Sequence, residues 1–178
     1  MKVRIGLTGV AVLLLVATAC SSGGELEAGA SSSATSSEAE GHDGMDMAGD
    51  GSSAFGKPGD GNGVDRTIEV GQFDDFRFDP TTIEIAVGET IRFDVTNRGI
   101  ANHEFVLGDA AFQRMHEDEM AEMGAELAPD ESYAIGVEPG TSKSLIWTFT
   151  EPVTIEFGCH VPGHYAGGMV GTIEVTQE

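Results

Sequence analysis

The chain has 178 residues, 40% of them hydrophobic, and its 30 acidic residues against 9 basic ones give a formal net charge of −21. This length allows one or two domains, and a single domain is favoured because the first third is poor in core-forming residues. So negative a chain excludes binding to nucleic acid and electrostatic docking on anionic lipid, since both would repel it. Two cysteines are too few for a disulfide framework.

The N-terminus has the features of an export signal. Lys2 and Arg4 precede an apolar run over residues 5–19 that is too short to span a membrane. The run ends in Ala-Thr-Ala before Cys20, which resembles a bacterial lipobox, although Ala17 stands where Leu is usual. We therefore predict that residues 1–19 are a lipoprotein signal peptide. Cys20 would then be lipid-modified and would anchor the protein to the cell membrane, facing the periplasm or the cell exterior. An ordinary signal peptide or an uncleaved anchor is the alternative.

Residues 20–64 are rich in Ser, Gly and acidic side chains and poor in large apolar ones, which predicts a disordered tether. The sequence GHDGMDM (41–47) places His42, Met45 and Met47 close together. Imidazole and thioether groups are good ligands for soft Cu(I), so these residues form a candidate auxiliary copper site. An accidental grouping in a polar linker is equally consistent with the pattern.

From Asp65 onward the chain forms short runs rich in β-formers, many of them alternating apolar and polar residues. Nine such runs predict β-strands, at 67–70, 76–78, 82–87, 90–97, 104–107, 133–137, 143–150, 153–158 and 169–176. Gly, Pro, Asn and Asp residues separate them. This pattern predicts an all-β Greek-key β-sandwich or barrel over residues 65–178.

One segment departs from this pattern and predicts a helical insertion around residues 110–127. Its apolar positions and one histidine fall on one face, comprising Phe112, Met115, His116, Met120, Met123 and Leu127. The simpler interpretation is that this face packs on the sandwich. The alternative is a second Cu(I) site made by Met115, His116, Met120 and Met123.

The residues best suited to hold a metal lie near the C-terminus. In EFGCHVPGHYAGGMVGTIEV (156–175), Cys159 is followed by His164 and then by Met169, with four residues between the members of each pair. A thiolate, an imidazole and a weak axial thioether match a blue-copper site, which needs a second imidazole. His103, at the start of a predicted strand, is the candidate for that position.

These residues carry a resemblance to the cupredoxins, the plastocyanin/azurin group of small copper proteins, over residues 65–178. The segment CHVPGH (159–164) is similar to azurin's Cys-x-Phe-Pro-Gly-His, and AGGM (166–169) is similar to plastocyanin's Ala-Gly-Met. The spacing is similar to that of rusticyanin and auracyanin. The resemblance implies one type 1 copper per domain, with His103, Cys159 and His164 in the plane and Met169 as the axial ligand. A binuclear copper site is excluded because this loop has a single cysteine.

Two positions beside these ligands depart from the family pattern. Glu104 stands where azurin and plastocyanin commonly have Asn, and His160 stands where Ser or Thr is frequent. We predict a charge-assisted hydrogen bond between Glu104 and His160, which would make the reduction potential depend on pH. A His160 that faces solvent is the alternative.

The resemblance implies one-electron transfer and no enzymatic activity. In related proteins the imidazole on the cysteine loop reaches an apolar surface, which here would be His164 surrounded by Val161, Pro162, Tyr165 and Ala166. The acidic charge favours a basic redox partner such as a cytochrome, or an oxidase, and no nucleic acid.

The main alternative function is a copper-binding module for tolerance, storage or delivery, which the two Met/His groups at 42–47 and 115–123 support. A cysteine nucleophile, a structural zinc site or a buried structural cysteine would each leave Met169 without a role. A metal-free cupredoxin that serves only protein contacts would not need all four ligands.

Overall fold

The computed structural model describes residues 53–124 and 126–177. Within these ranges the chain forms ten strands and one helix, in the order β1 (Gly56–Pro58), β2 (Arg66–Phe73), β3 (Arg77–Asp79), β4 (Thr82–Ala86), β5 (Thr90–Asn97), β6 (His103–Gly108), α1 (Ala110–Met123), β7 (Ala134–Val137), β8 (Ser142–Phe149), β9 (Val153–Gly158) and β10 (Val170–Thr176). All nine predicted strands are present, with bounds within three residues of those predicted.

The described strands form two five-stranded sheets that pack face to face. The first sheet has the order β1-β8-β5-β2-β3 and the second has the order β4-β10-β9-β6-β7. The pairs β2–β5 and β4–β10 are parallel, whereas the others are antiparallel. The predicted all-β sandwich is therefore confirmed.

The core lies between the two sheets and follows from the two-residue period of the strands. In β5, Ile91, Phe93 and Val95 are buried, whereas the residues between them are not. Opposite them the second sheet contributes Phe105, whose ring centroid lies 5.3 Å from that of Phe93. Alternation of this kind places one face of each strand in the core, where removal of apolar surface from water stabilises the fold.

Strands β6 and β7 are exceptions, because all of their residues are buried. The outer face of β6 is covered by α1, which packs on β6 and β9. The helix begins where the Asp109 carboxylate accepts hydrogen bonds from the backbone N–H groups of Ala111 and Phe112, at 2.9 and 2.8 Å. It ends at Met123, because Gly124 adopts a left-handed φ of 81°, so the helix is shorter than predicted.

The assignment of residues 20–64 to a disordered tether is wrong for its last part. Strand β1 pairs with β8, with Lys57 opposite Thr148, and the buried ring of Phe55 packs 5.5 Å from the indole of Trp147. This single aromatic side chain joins the segment to the core. The predicted signal peptide and the tether up to residue 52 lie outside the described residues. Within the described residues, no helix is both long enough and apolar enough to cross a membrane.

Candidate metal centre

Three predicted ligand side chains meet at one end of the second sheet. Cys159 Sγ lies 3.4 Å from His164 Nδ1 and 3.7 Å from His103 Nδ1, and the three ligand atoms all lie within 4.8 Å of one another. Strand pairing brings His103 close to Cys159, because β6 and β9 are antiparallel with Val106 opposite Gly158. The start of β6, which carries His103, therefore lies beside the end of β9, where Cys159 follows.

The loop between β9 and β10 is closed by its own backbone hydrogen bonds. Met169 donates its N–H to the carbonyl of His164 at 2.9 Å, and Cys159 donates to the carbonyl of Met169 at 3.2 Å. Gly163 and Gly168 supply left-handed φ values of 86° and 99°, which these turns require. Met169 is fully buried. One internally bonded loop thus carries three of the four predicted ligands.

Asp74, in the turn between β2 and β3, holds His103 from behind. Its carboxylate lies 3.3 Å from His103 Nε2 and accepts hydrogen bonds from the backbone N–H groups of Ile100 and Ala101. Those two backbone bonds are the main reason that the pKa of Asp74 is lowered. A Cβ at Gly99 would overlap this carboxylate. Asp74 therefore fixes the imidazole so that Nδ1 faces the cysteine, as a carboxylate behind a histidine ligand does.

The two imidazoles are suited to metal binding as neutral bases. Burial lowers the pKa of His103, against the opposing influence of Asp74. Burial also lowers the pKa of His164, and the neighbouring His103 lowers it further. Both rings are therefore neutral at neutral pH, and at His103 the Asp74 carboxylate beside Nε2 favours the tautomer whose Nδ1 is unprotonated and faces Cys159.

Burial raises the pKa of the Cys159 thiol to about 12, although the backbone N–H groups of Glu104 and Val161 act in the opposite direction. The Glu104 N–H lies 3.3 Å from Sγ. A buried thiol keeps its proton until a cation replaces it, so metal binding here releases a proton. A thiolate, two imidazoles and a nearby thioether form the soft, mixed donor set that suits copper.

The predicted charge-assisted hydrogen bond between Glu104 and His160 is wrong. The buried His160 ring instead bonds through Nε2 to Gln113 Oε1 at 2.6 Å, and it stacks on Tyr165 with centroids 4.7 Å apart. Burial, aided by the nearby His116, lowers the pKa of His160 to about 3, so this imidazole stays neutral. The alternative of a solvent-facing His160 is also wrong, because α1 covers this part of the sheet.

Glu104 contacts the metal centre through its backbone and turns its side chain away. Gln72 donates a hydrogen bond to the Glu104 carbonyl at 2.8 Å. Burial raises the pKa of the Glu104 carboxyl to about 6, although the backbone N–H groups of Ala128 and His160 lower it. Its Oε2 lies 4.0 Å from His116 Nε2, on the helix side of β6.

The helix buries only part of the face that was predicted. Phe112, His116 and Met120 are buried as predicted, together with Gln113, whereas Met115 and Met123 are both 47% exposed. The placement of Met115 and Met123 on the packed face is therefore wrong. Gln113 was missed, although it lies one position from Phe112 and on the same side of the helix as Met120.

The surface around His164 also differs in part from the prediction. Pro162 and Ala166 are exposed, but Val161 is buried and the Tyr165 hydroxyl donates a hydrogen bond to Glu156 Oε2 at 2.6 Å. Two other exposed residues of this surface were not predicted. The ring of Phe76 packs 4.9 Å from that of His164, and Ile100, in the segment bonded to Asp74, is 89% exposed.

The remaining predicted sites fall at the N-terminus. Cys20, the predicted lipidation site, lies outside the described residues, as do His42, Met45 and Met47. Their roles therefore stay predictions.

Residues 64–176 match the family model of copper binding proteins of the plastocyanin/azurin family. The chain is also similar to the copper-resistant cuproprotein CopI of Pseudomonas aeruginosa, with 39% identity over 101 residues, which cover 41% of this chain and 56% of the relative. A CopI of Vibrio cholerae is 39% identical over 77 residues, or 43% of this chain and 45% of the relative. The chain thus spans about half the length of the curated relatives it matches.

Solved structures of similar fold include two auracyanins. A reduced auracyanin from Roseiflexus castenholzii has a TM-score of 0.56 and 28% identity, covering 64% of this chain and 99% of the auracyanin. Auracyanin B has a TM-score of 0.56 with 24% identity, covering 68% and 96% respectively, which supports the fold alone. Together with the convergence of His103, Cys159 and His164, the family match shows that this chain belongs to the plastocyanin/azurin family of copper-binding proteins.

Proposed function

We propose that this domain transfers single electrons at a type 1 copper centre whose ligands are His103, Cys159, His164 and Met169. The observation that carries the proposal is the position of His164. Its Nδ1 lies 3.4 Å from Cys159 Sγ, while its ring packs against the exposed ring of Phe76. A single side chain thus leads from the donor cluster to the surface.

The surroundings of the donors favour this role. Copper bound here supplies a couple between Cu(II) and Cu(I). Asp74 fixes His103, the Glu104 N–H points at Sγ, and the β9–β10 loop is closed by its own hydrogen bonds. Donors held in this way move little when the charge of the site changes, which favours fast transfer. We propose no enzymatic activity, because an electron carrier forms no product.

The surface around His164 supports a partner that makes apolar contact and is steered by charge. Phe76 and Ile100 are exposed beside the centre, and the chain as a whole carries a net charge of −21. We therefore propose a basic redox partner such as a cytochrome or an oxidase, attracted in a salt-dependent manner.

We also propose that Cys20 anchors the protein to the outer face of the cell membrane. A Cys20→Ala chain should then be released in soluble form.

The first test is a titration of the chain from Ser21 onward with Cu(II), recording the visible spectrum and the bound metal. We expect an intense thiolate-to-copper band that saturates at one copper, bleaches on reduction and disappears in Cys159→Ala. Met115→Leu, which changes an exposed helix residue, serves as the control. The proposal fails if the band never forms, or if Cys159→Ala binds copper as the parent chain does.

Electron transfer itself needs a separate test. Stopped-flow reduction by a basic cytochrome should slow as salt is added, and it should slow further in Ile100→Asp without any change in the visible band. Met115→Asp places the same charge on an exposed apolar residue of α1 and should leave the rate unchanged. Equal rates for the two variants would contradict the proposed docking surface.

A second function, copper tolerance, is favoured by the similarity of this chain to the CopI proteins, which are copper-resistant cuproproteins. This role would use copper capacity beyond one ion, and the candidate groups are those at 42–47 and 115–123. A strain that lacks this protein should then become sensitive to copper. We expect the Ile100→Asp variant to be reduced slowly by a redox partner but to bind copper normally. If this variant restores copper tolerance to the strain, tolerance does not depend on electron transfer.

A further inference from the structure

A cavity of about 170 Å³ lies between α1 and the strands β6 and β7, apart from the metal centre. The cavity is lined in part by the side chains of Glu104, His116, Glu119, Met120 and Met123. Glu119 and Met123 are exposed and lie at its solvent side, whereas the other three are buried. The cavity is therefore open to small solutes and lined by potential metal ligands.

Two polar atoms in this cavity are buried without a hydrogen-bond partner among the described residues, namely Glu104 Oε2 and His116 Nε2. Glu104 is 3% exposed and His116 is 8% exposed. An unsatisfied buried polar atom costs about 1–3 kcal/mol, and more when the group is charged. A structure that keeps two such atoms side by side calls for a ligand that satisfies both.

The spacing of these atoms fits a metal ion better than a direct hydrogen bond. They lie 4.0 Å apart, beyond hydrogen-bond distance. Two metal–ligand bonds of about 2.0–2.1 Å each reach across such a gap, so a single ion can contact both atoms.

The His116 ring is held for this role from its other side. Its Nδ1 lies 3.7 Å from the Glu119 carboxylate, and its ring stacks on Phe112 with centroids 5.9 Å apart. Burial lowers the pKa of His116 despite the opposing influence of Glu119. The ring is therefore neutral and directs Nε2 into the cavity, with a carboxylate behind it as histidine ligands commonly have.

The identity of the ion follows from the sulfur atoms. Met120 and Met123 line the same cavity, and thioethers are ligands for soft ions such as Cu(I) rather than for Mg²⁺ or Ca²⁺. We propose that this cavity is a second, Cu(I)-binding site, formed by His116, Glu104, Met120 and Met123. It includes three side chains of α1, excludes Met115, and is independent of whether the main centre transfers electrons.

The test uses the chain from Ser21 onward, labelled with ¹³C at the methionine methyl groups. One equivalent of copper is added and reduced first, so that the main centre is filled with diamagnetic Cu(I). Further Cu(I) is then added as its acetonitrile complex. We expect the Met120 and Met123 methyl signals to shift and to saturate at one additional equivalent, while the Met115 signal stays in place.

His116→Phe should weaken this second binding event at least tenfold and leave the Met169 signal of the main centre as in the parent chain. Met115→Leu is the matched control on the same helix and should bind as the parent does. If His116→Phe fails to fold, Glu104→Gln, which preserves volume, should give the same loss. Shifts confined to Met45 and Met47, or unchanged binding in the variants, would overturn the proposal. Failure of the first equivalent to bind would instead count against the main centre.

Discussion

Gln113 offers the sharpest test of how the helix supports the metal centre. Its side-chain Nε2 donates to the carbonyls of Val106 and Glu156 at 2.9 and 3.2 Å, and its Oε1 lies 2.6 Å from His160 Nε2. The substitution Gln113→Leu keeps the volume of the side chain but removes all three hydrogen bonds. At about 1 kcal/mol for each bond, the free energy of unfolding should fall by about 3 kcal/mol.

The assay is urea unfolding of the copper-free chain at 25 °C, followed by tryptophan fluorescence, with the midpoint and slope compared between variants. Arg114→Ala, at the next and exposed position of the helix, is the control and should change the free energy of unfolding by less than about 0.5 kcal/mol. A loss below about 1 kcal/mol for Gln113→Leu, at an unchanged slope, would refute the reasoning, because the three bonds would then contribute little.

Three further predictions concern the centre and the core. Asp74→Asn should weaken copper binding by about 10–100-fold in competition with a chelator, whereas Asp75→Asn should not, and equal effects would contradict the proposed orienting role. Because burial lowers the pKa of His160 from 6.5 to about 3, its contribution to stability is present above pH 6.5 and is lost as the pH falls towards 3. His160→Phe should therefore remove a slope of about 1.4 kcal/mol per pH unit between pH 4 and 6 in urea titrations of the copper-free chain, and parallel profiles would argue against it. Gly171→Ala should cost about 1–3 kcal/mol in the same assay, since its Cβ would overlap a phenylalanine ring of β9, whereas Gly61→Ala has room and should be nearly neutral.

The strands could be predicted because a half-buried strand has a local signature, an alternation that is readable over five to eight residues. Strand β5 shows it in full, with Ile91, Phe93 and Val95 on one face. Strand β1 has only three residues, and its partner Thr148 lies about ninety positions away in sequence. Its three residues, Gly-Lys-Pro, include no β-forming side chain, so the domain was predicted to begin too late.

The ligands could be predicted for a similar reason, since Cys159, His164 and Met169 lie on a single loop. The groups that support them could not. Asp74 reaches His103 across 29 residues, and Gln113 reaches His160 across 47. Such pairs are defined by how the sheets and the helix pack, and no spacing along the chain encodes them. The incorrect pairing of Glu104 with His160 shows the consequence, because the true partner of His160 is Gln113, which the helix brings from 47 residues away.

The lengths of the strands bear on how the protein behaves at high concentration. In the described part of the chain, the four edge strands β1, β3, β4 and β7 have only three to five residues, whereas β2, β5 and β8 in the interior of the first sheet have eight each. Short edges leave few free backbone groups on which another chain can pair. A chain cut at residue 64, where the family match begins, would lose β1 and leave β8 as an open edge eight residues long. We expect such a chain to keep its copper ligands and yet to be more prone to edge-to-edge aggregation, because the small strand before the family boundary covers Trp147, Thr148 and Phe149 at this edge.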